Sequence, residues 1–551
     1  MRIVLISTPS RTSVPNYIIP NGIISLAAYM EEQGHEVKVV DAAALREPNG
    51  QIITRVAEFR PDLIGIGGII TAYSYIISLS NDIRQAMPSI PIVLGGQVAI
   101  NNIENCYRHM AIDYIVHGYG EIALGKLAQY LEGKLNIEAI PGVSYLDKGF
   151  AVTNPGREFF PDINQMPLPA YHLIDMEHYA TVNGHRLNKL QKYLDKSGKT
   201  TVNHRFCTVM GTLGCTDRCS FCVHEQEFVG LKIFSNEYLL NHIRHLYENY
   251  DIRVFAIGEE MFLTKVSRAQ KFNTLMKEQF PNVYWSASTR ADFVTPEMIA
   301  ELETGNCFYV AWGFESGSQK MLDMMKKRMT RKQNIAAYVT TDNSKLVPAC
   351  SLMVGNVGET NETITETVEA IRLGHIGRSS VFFASAYPGG RTWDWALERG
   401  IIGDAHRYLL AASDKDAASR INVNLTPFPN WVLKGWQQIL IWECEKQEVK
   451  KAARLFSHQP LWSRVRQKVR SIIGHSGIPT PFYKRLIDLY FVYYSITRKF
   501  FQTAKDKQYK YKLDKQEALL PENLIVGHPQ HFVPQDKLAR FAALPKNRLS
   551  L

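Results

Sequence analysis

Gly214-Cys215-Thr216-Asp217-Arg218-Cys219-Ser220-Phe221-Cys222 sets three cysteines on one short loop, with three residues between the first two and two between the last two. Three thiolates so arranged can wrap three corners of a cubane 4Fe-4S cluster and leave the fourth iron without a protein ligand. Structural zinc wants four protein ligands, usually two Cys-x2-Cys pairs or one pair with histidines. Only one such pair is present, and His224 follows too closely to close a tetrahedron comfortably, so the Fe-S cluster is the better fit. Cysteine is otherwise sparse, which argues against three idle buried thiols and against a disulfide staple. The other five, Cys106, Cys207, Cys307, Cys350 and Cys444, are scattered and read as ordinary buried thiols, with Cys207 nearest the triplet.

Around the loop lies a second series of βα units. Strand expectations are Phe206–Met210, Val254–Ile257, Tyr284–Ala287, Tyr309–Trp312, Ala349–Val354 and Val381–Ala384, each followed by a turn and a helical stretch. The cysteine loop comes directly after the first of these. A first series occupies residues 1 to about 130, with strands expected at Ile3–Ser7, Glu36–Val40, Leu63–Gly67, Ile92–Leu94 and Tyr114–Val116 and helices at Ile23–Gln33 and Tyr73–Met87. Strands alternating with helices read as a doubly wound parallel sheet, which binds ligands at the carboxyl ends of its strands. Those ends carry Thr8, Gly67-Gly68, Gly95-Gly96-Gln97 and His117-Gly118-Tyr119-Gly120-Glu121, where glycine lets a ligand approach the backbone.

Between the two series, Pro141, Pro155, Pro161, Pro167 and Pro169 break the chain, and Asn164-Gln165-Met166-Pro167-Leu168-Pro169-Ala170 reads as an extended strap. Lys189–Lys199 is polar enough for a solvated hairpin or loop. After about residue 406 the pattern is helical. The expected organisation is an N-terminal domain over 1–140, a linker over 141–200, a central domain over 201–405 and a basic helical domain over 406–551.

At 551 residues, 45% hydrophobic and 21% charged, the chain is globular and long enough for several domains. The start, Met1-Arg2-Ile3-Val4-Leu5-Ile6-Ser7-Thr8, is a short strand running into a loop and lacks the pattern of a secretory signal. No stretch reaches the roughly 18 to 20 apolar residues of a membrane span, so a cytoplasmic location is expected. The formal charge of +10 is concentrated between Lys450 and Lys512, where fifteen Lys or Arg face only Asp488 and Asp506. Trp462, Val465, Val469, Ile472 and Ile473 share a helix face opposite Arg464, Lys468 and Arg470, and Tyr490-Phe491-Val492-Tyr493-Tyr494 follows. This segment fits a helical cap with a solvated basic face, or a peripheral contact with the inner membrane surface. Nucleic-acid binding is the least favoured of the three readings.

The cysteine loop, with Phe221 before its third cysteine, resembles the cluster signature of radical S-adenosylmethionine (SAM) enzymes. Pro20-Asn21-Gly22, Gly34-His35-Glu36-Val37, Gly95-Gly96 and Gly118-Tyr119-Gly120-Glu121 resemble the cobalamin-binding domain that precedes many of their cores. Family members often show Gly-Glu-Gly-Glu at the last of these. No Asp-x-His-x-x-Gly motif is present to supply a lower axial histidine. The resemblance is to the cobalamin-dependent (class B) members, among them methyltransferases and the anaerobic magnesium-protoporphyrin ester cyclase.

That resemblance implies a Rossmann-like cobalamin domain, a partial (β/α)6 TIM-like barrel and a 4Fe-4S cluster on Cys215, Cys219 and Cys222, with SAM on the open iron. It implies SAM contacts from Phe221, Gly258, Glu259, Glu260, Ser288, Arg290, Glu315 and Ser316. Cobalamin contacts fall to Thr8, Gly67, Gly95, Gly96, Gln97, Gly118 and Glu121. The implied activity is methyl transfer to an unactivated carbon through a 5′-deoxyadenosyl radical, with a flavodoxin- or ferredoxin-type electron donor and a small-molecule or lipid-like substrate. A cyclase, oxidase or rearrangement enzyme without methyl transfer is the alternative, and a non-catalytic Fe-S or cobalamin sensor is another. A methylthiotransferase is disfavoured, because the N-terminal domain has only Cys106 for a second cluster.

Overall fold

In β1 (Arg2–Ser7) the side chains alternate between two cores, Ile3 and Leu5 facing one and Val4 and Ile6 the other. A strand covered on both faces reads as an unbroken apolar run, because neither face meets water. The computed structural model describes residues 1–12, 18–180, 184–199, 205–223, 230–258, 261–414 and 420–457. Within it β1 lies between β2 (Glu36–Asp41) and β3 (Leu63–Gly67), followed by β4 (Ile92–Gly95) and β5 (Tyr114–Val116), all parallel. The chain leaves β1 to one side for β2 and returns to the other for β3. The carboxyl ends of β1 and β3 therefore border the switch point at which such sheets receive ligands.

The sheet runs further than the sequence suggested. β6 (Val143–Asp147) and β7 (Phe150–Thr153) add an antiparallel hairpin, making seven strands, inside the stretch expected to be a connector. Its two-residue turn, Lys148-Gly149, has φ of 49° and 84°, the left-handed pair that matches the twist of a tight hairpin. The strap crosses between domains: the Ala170 N–H donates to the Ile24 carbonyl at 3.0 Å and the Tyr238 hydroxyl to the Pro167 carbonyl at 3.3 Å.

All six strands expected in the central region are present, as a curled half-barrel. In chain order β8 (Phe206–Val209) is followed by the short antiparallel pair β9 (Thr212–Leu213) and β10 (Lys232–Ile233). Then come β11 (Val254–Ile257), β12 (Tyr284–Ser288), β13 (Cys307–Glu315), β14 (Val347–Val354) and β15 (Ser380–Phe383), pairing in parallel in the order β15-β14-β13-β12-β11-β8. The cysteine loop springs from the β9–β10 clamp at the carboxyl end of β8.

The amino ends of the barrel strands are covered by the helix Gly184–Ser197. Leu190, Tyr193 and Leu194 of this helix are buried among Phe206, Val254, Tyr284, Phe308, Tyr309 and Val347. The solvated hairpin or loop expected over Lys189–Lys199 is thus a plug helix over most of that stretch. Its one apolar face satisfies the barrel floor while its lysines stay at the rim.

Beyond β15, the helix Ala405–Ala412 and the segment carrying Val423 and Leu425 join the core on one face of the N-terminal sheet. The helix Asn430–Ser457 then closes against the barrel, its Trp436 Nε1 donating to Asn361 Oδ1 at 2.9 Å. Among the described residues no helix is long and apolar enough to cross a membrane. The amphipathic helices expected between Trp462 and Phe501 lie outside the described residues, and with them most of the expected basic domain.

Candidate functional site

The cysteine loop is held along its whole length. Asp217, at 3% exposure, is paired with Arg290 from the end of β12 and with Arg328, which follows the short helix Gln319–Met324 after β13. Arg328 also donates to the Thr216 carbonyl at 2.6 Å. The Ser220 N–H donates to the Met325 carbonyl at 3.0 Å, and the Ser220 carbonyl accepts from the N–H and the hydroxyl of Thr392 at 2.9 and 3.0 Å. A Cβ at Gly390 would stand 3.2 Å from the Phe221 carbonyl carbon, so the turn after β15 presses directly on the loop.

None of the eight cysteines forms a disulfide. Cys215 and Cys222 are half-buried and Cys219 is buried, with Cys215 Sγ 3.6 Å from Met261 Sδ. Among the described residues no three His, Cys, Asp or Glu side chains converge closely enough to grip a single metal ion. A cubane spreads its ligating sulfurs further apart than one ion does, and three soft thiols spaced along one anchored loop fit that donor set. Burial pushes the Cys219 thiol up to about 12, with the Lys327 ammonium opposing, so iron binding there must displace a proton. Cys207 sits apart, in β8 and inside the hydrophobic core.

Beside the loop lies a buried ion pair that sequence reading half found. Glu315 ends β13 at φ 59°, in the left-handed region that β-carbon-bearing residues avoid, just past a register shift in the β13–β14 ladder. That turn carries its Oε1 to 2.9 Å from Lys327 Nζ. A Cβ at Gly313 would overlap the Glu315 carboxylate and lie 2.9 Å from Lys327 Nζ, so only glycine leaves room for the pair. Burial pulls the Lys327 ammonium down, but Glu315 and the Cys219 thiol together carry it above its usual value. Its Nζ stands 6.0 Å from the centre of the Phe221 ring.

The other expected SAM contacts divide. Gly258 follows β11 at φ 76°, its N–H donating to the Val209 carbonyl at 2.9 Å. The Ser288 carbonyl accepts from the Phe262 N–H at 2.9 Å. Ser316 is fully buried and its hydroxyl bonds Thr367 and the Ser318 N–H, both at 3.1 Å. The Arg290 guanidinium is committed to Asp217, to Asp292 at 2.9 Å and to the carbonyls of Lys327 and Arg328. Glu259 and Glu260 lie outside the described residues. Sequence reading missed Asp217, Met261, Lys327 and Arg328; apart from Asp217's place between two of the cysteines, no local signal marked them.

On the N-terminal sheet, Thr8 donates its hydroxyl to the Gly67 carbonyl at 2.8 Å, closing β1 onto β3. Gly96, at φ 85°, lies so close to Gly68 that a Cβ would come within 2.6 Å of its carbonyl oxygen, whereas a Cβ at Gly95 would meet only the Val116 carbonyl oxygen, at 3.8 Å. Gly96, Gln97, Gly118 and Ile69 are exposed along this carboxyl edge, which gives a flat macrocycle a rim with few side chains. Glu121 opens the helix Glu121–Leu131 and is buried, which raises its carboxyl above the usual range. His117 is pushed down to about 4 by burial and bonds Ser144 at 2.7 Å, so it serves the sheet.

The two strand-end sites meet. The Gly214 N–H donates to the Tyr119 hydroxyl at 2.9 Å, and a Cβ at Gly389 would touch both Ile100 and the Val223 carbonyl. Residues 8–128 match the B12 binding domain family and residues 209–371 the Radical SAM superfamily. The chain thus pairs a cobalamin-binding domain with a radical SAM half-barrel, the combination of the cobalamin-dependent radical SAM family, whose cofactors are a 4Fe-4S cluster, SAM and cobalamin.

Among curated proteins it is 24% identical to an uncharacterized methyltransferase of Pyrococcus horikoshii, over 73% of this chain and 84% of that protein. It is 23% identical to the anaerobic magnesium-protoporphyrin IX monomethyl ester cyclase of Rubrivivax gelatinosus, over 64% of this chain and 62% of that one. Its fold is shared with the radical SAM methyltransferase TsrM from Kitasatospora setae, solved with cobalamin and a 4Fe-4S cluster bound. That likeness has a TM-score of 0.58 at 16% identity, covering 73% of this chain and 76% of that one.

Proposed function

We propose that this protein is a C-methyltransferase acting on an unactivated carbon of a hydrophobic or lipid-like small molecule, with Cys215, Cys219 and Cys222 as its cluster ligands. The observation that carries this reading is the contact of Tyr119 with Gly214, which brings the glycine-rich edge of the cobalamin domain against the cysteine loop. When bound, SAM on the reduced cluster supplies a hydrogen-abstracting radical and cobalamin supplies a methyl group. The chain's part is to hold, orient and keep dry. Lys327 and Glu315 offer opposite charges to the amino-acid end of SAM, and Gly258 lets its backbone approach. Arg290 keeps Asp217, and so the loop, in register. Phe221 and Met261 exclude water beside the thiols.

The electron donor would be of flavodoxin or ferredoxin type. The basic, aromatic stretch from Lys450 to Lys512 supports a hydrophobic substrate met at an anionic membrane surface. The likeness to the porphyrin-ester cyclase favours a second reading, ring formation without methyl transfer. One experiment separates them. Reduced, reconstituted protein carrying cobalamin is given SAM without substrate, and S-adenosylhomocysteine is quantified. Methyl transfer requires an amount matching the bound cobalamin. Formation of none would sink the methyltransferase reading and leave the cyclase.

A further inference from the structure

The Gly-Tyr-Gly-Glu turn after β5 differs from the family's usual Gly-Glu-Gly-Glu at one residue, Tyr119, and that residue reaches across the domain boundary. Its hydroxyl accepts from the Gly214 N–H at 2.9 Å, and its ring stands edge-on to Phe159 of the connecting segment, 6.1 Å between centroids at 66°. The other anchors described for the cysteine loop, at Thr216, Asp217 and Ser220, come from the barrel and the turn after it. The Gly214 end is held from the cobalamin domain. Gly214 has φ 76°, a conformation in which the peptide can swing without a side chain to resist it, and Cys215 follows immediately.

We propose that Tyr119 is a positioning residue that couples occupancy of the cobalamin domain to the electronic state of the cluster, by fixing which way the Gly214 N–H points. This rests on the cofactor assignment above. Cluster potentials respond to hydrogen bonds at the sulfurs and to nearby backbone dipoles. An N–H bound by Tyr119 is withheld from the cluster, and one released is free to turn toward a sulfur and raise the potential. Gly118 and Gly120 on either side of Tyr119 let its turn move when a ligand settles on the strand ends beside it. Ile100, pressed under Gly389, gives the same boundary a packing contact but no polar one.

The test compares wild-type protein with Tyr119→Phe, which keeps the ring and removes the hydroxyl that accepts from Gly214. Cluster loading and cobalamin binding are quantified first, because failure of either would overturn the cofactor assignment and this inference with it. With both loaded, the cluster midpoint potential is titrated with and without hydroxocobalamin. The inference expects a shift on cobalamin binding in the wild type and its loss in the variant. An equal shift in both, or none in the wild type, overturns it. Should Tyr119→Phe fail to fold, hydrogen exchange of the Gly214 amide in the wild type decides. Exchange should slow or speed by roughly fivefold, the size of one neutral hydrogen bond, when cobalamin binds. Exchange indifferent to cobalamin overturns the coupling.

Discussion

Asp217 and Arg290 form a buried ion pair that joins the middle of the cysteine loop to the end of β12. Asp217 is almost wholly enclosed, Arg290 is 10% exposed at its side chain, and Arg290 is braced in turn by Asp292 at 2.9 Å. The second partner, Arg328, is 66% exposed. Asp217, at the middle of the loop, is therefore held by one enclosed contact and only assisted by a screened one.

Asp217→Asn should destabilise the protein by about 3 kcal/mol, the low end for breaking a buried pair, since Asp292 still attends the stranded guanidinium. Arg328→Ala should cost about 1 kcal/mol or less. Thermal unfolding of the two variants checks the order, and a larger loss in Arg328→Ala would refute it.

Gly313→Ala should weaken SAM binding about tenfold, or about 1.4 kcal/mol, because its methyl group pushes Glu315 off Lys327. Equilibrium dialysis with SAM on the cluster-loaded protein measures this. Unchanged affinity would place the Glu315–Lys327 pair outside the SAM site.

Glu359 is buried, and burial raises its carboxyl from 4.5 to about 8 although the Gly355 and Asn356 N–H groups oppose the shift. The folded state keeps a proton that the unfolded chain has released. This group's contribution is therefore complete below about pH 4.5 and declines toward pH 8, by roughly 1.4 kcal/mol per unit. Glu359→Gln keeps the acceptor oxygen and removes the titration. Urea midpoints at pH 5 and pH 8 should show the variant gaining on the wild type at the higher pH. Parallel pH profiles would mean Glu359 is not protonated in the fold.

Leu190→Ala should cost about 2 to 5 kcal/mol, since Leu190 is fully buried under the barrel. A loss under 1 kcal/mol would show that the helix Gly184–Ser197 does not seal the floor.

Much of this was legible beforehand. Strands buried on both faces announce themselves as apolar runs, which is why β1 to β5 and the six barrel strands were found. β6 and β7 were missed because an edge hairpin is exposed, with Phe150 and Leu146 both in solvent; its Asp147-Lys148-Gly149 turn was the available signal. The plug helix was read as polar because Lys189, Lys192 and Lys196, with the other polar residues of its sequence, mask the narrow apolar face of Leu190, Tyr193 and Leu194. Thr360 caps the helix Asn361–Leu373, and Glu359 closes the turn before it, accepting from the Gly355 and Asn356 N–H groups. The three cysteines declared themselves by spacing. Their neighbours Lys327, Arg328 and Met261 arrive from 40 to over 100 residues away, and only the folded chain brings them in.

The most direct test of the central claim is 5′-deoxyadenosine production from SAM by anaerobically reconstituted, reduced protein. Wild type and Cys207→Ala should both produce it, and Cys215→Ala, Cys219→Ala and Cys222→Ala should each produce none. Production by any of the last three, or its loss in Cys207→Ala, would contradict the assignment of the cluster to this loop.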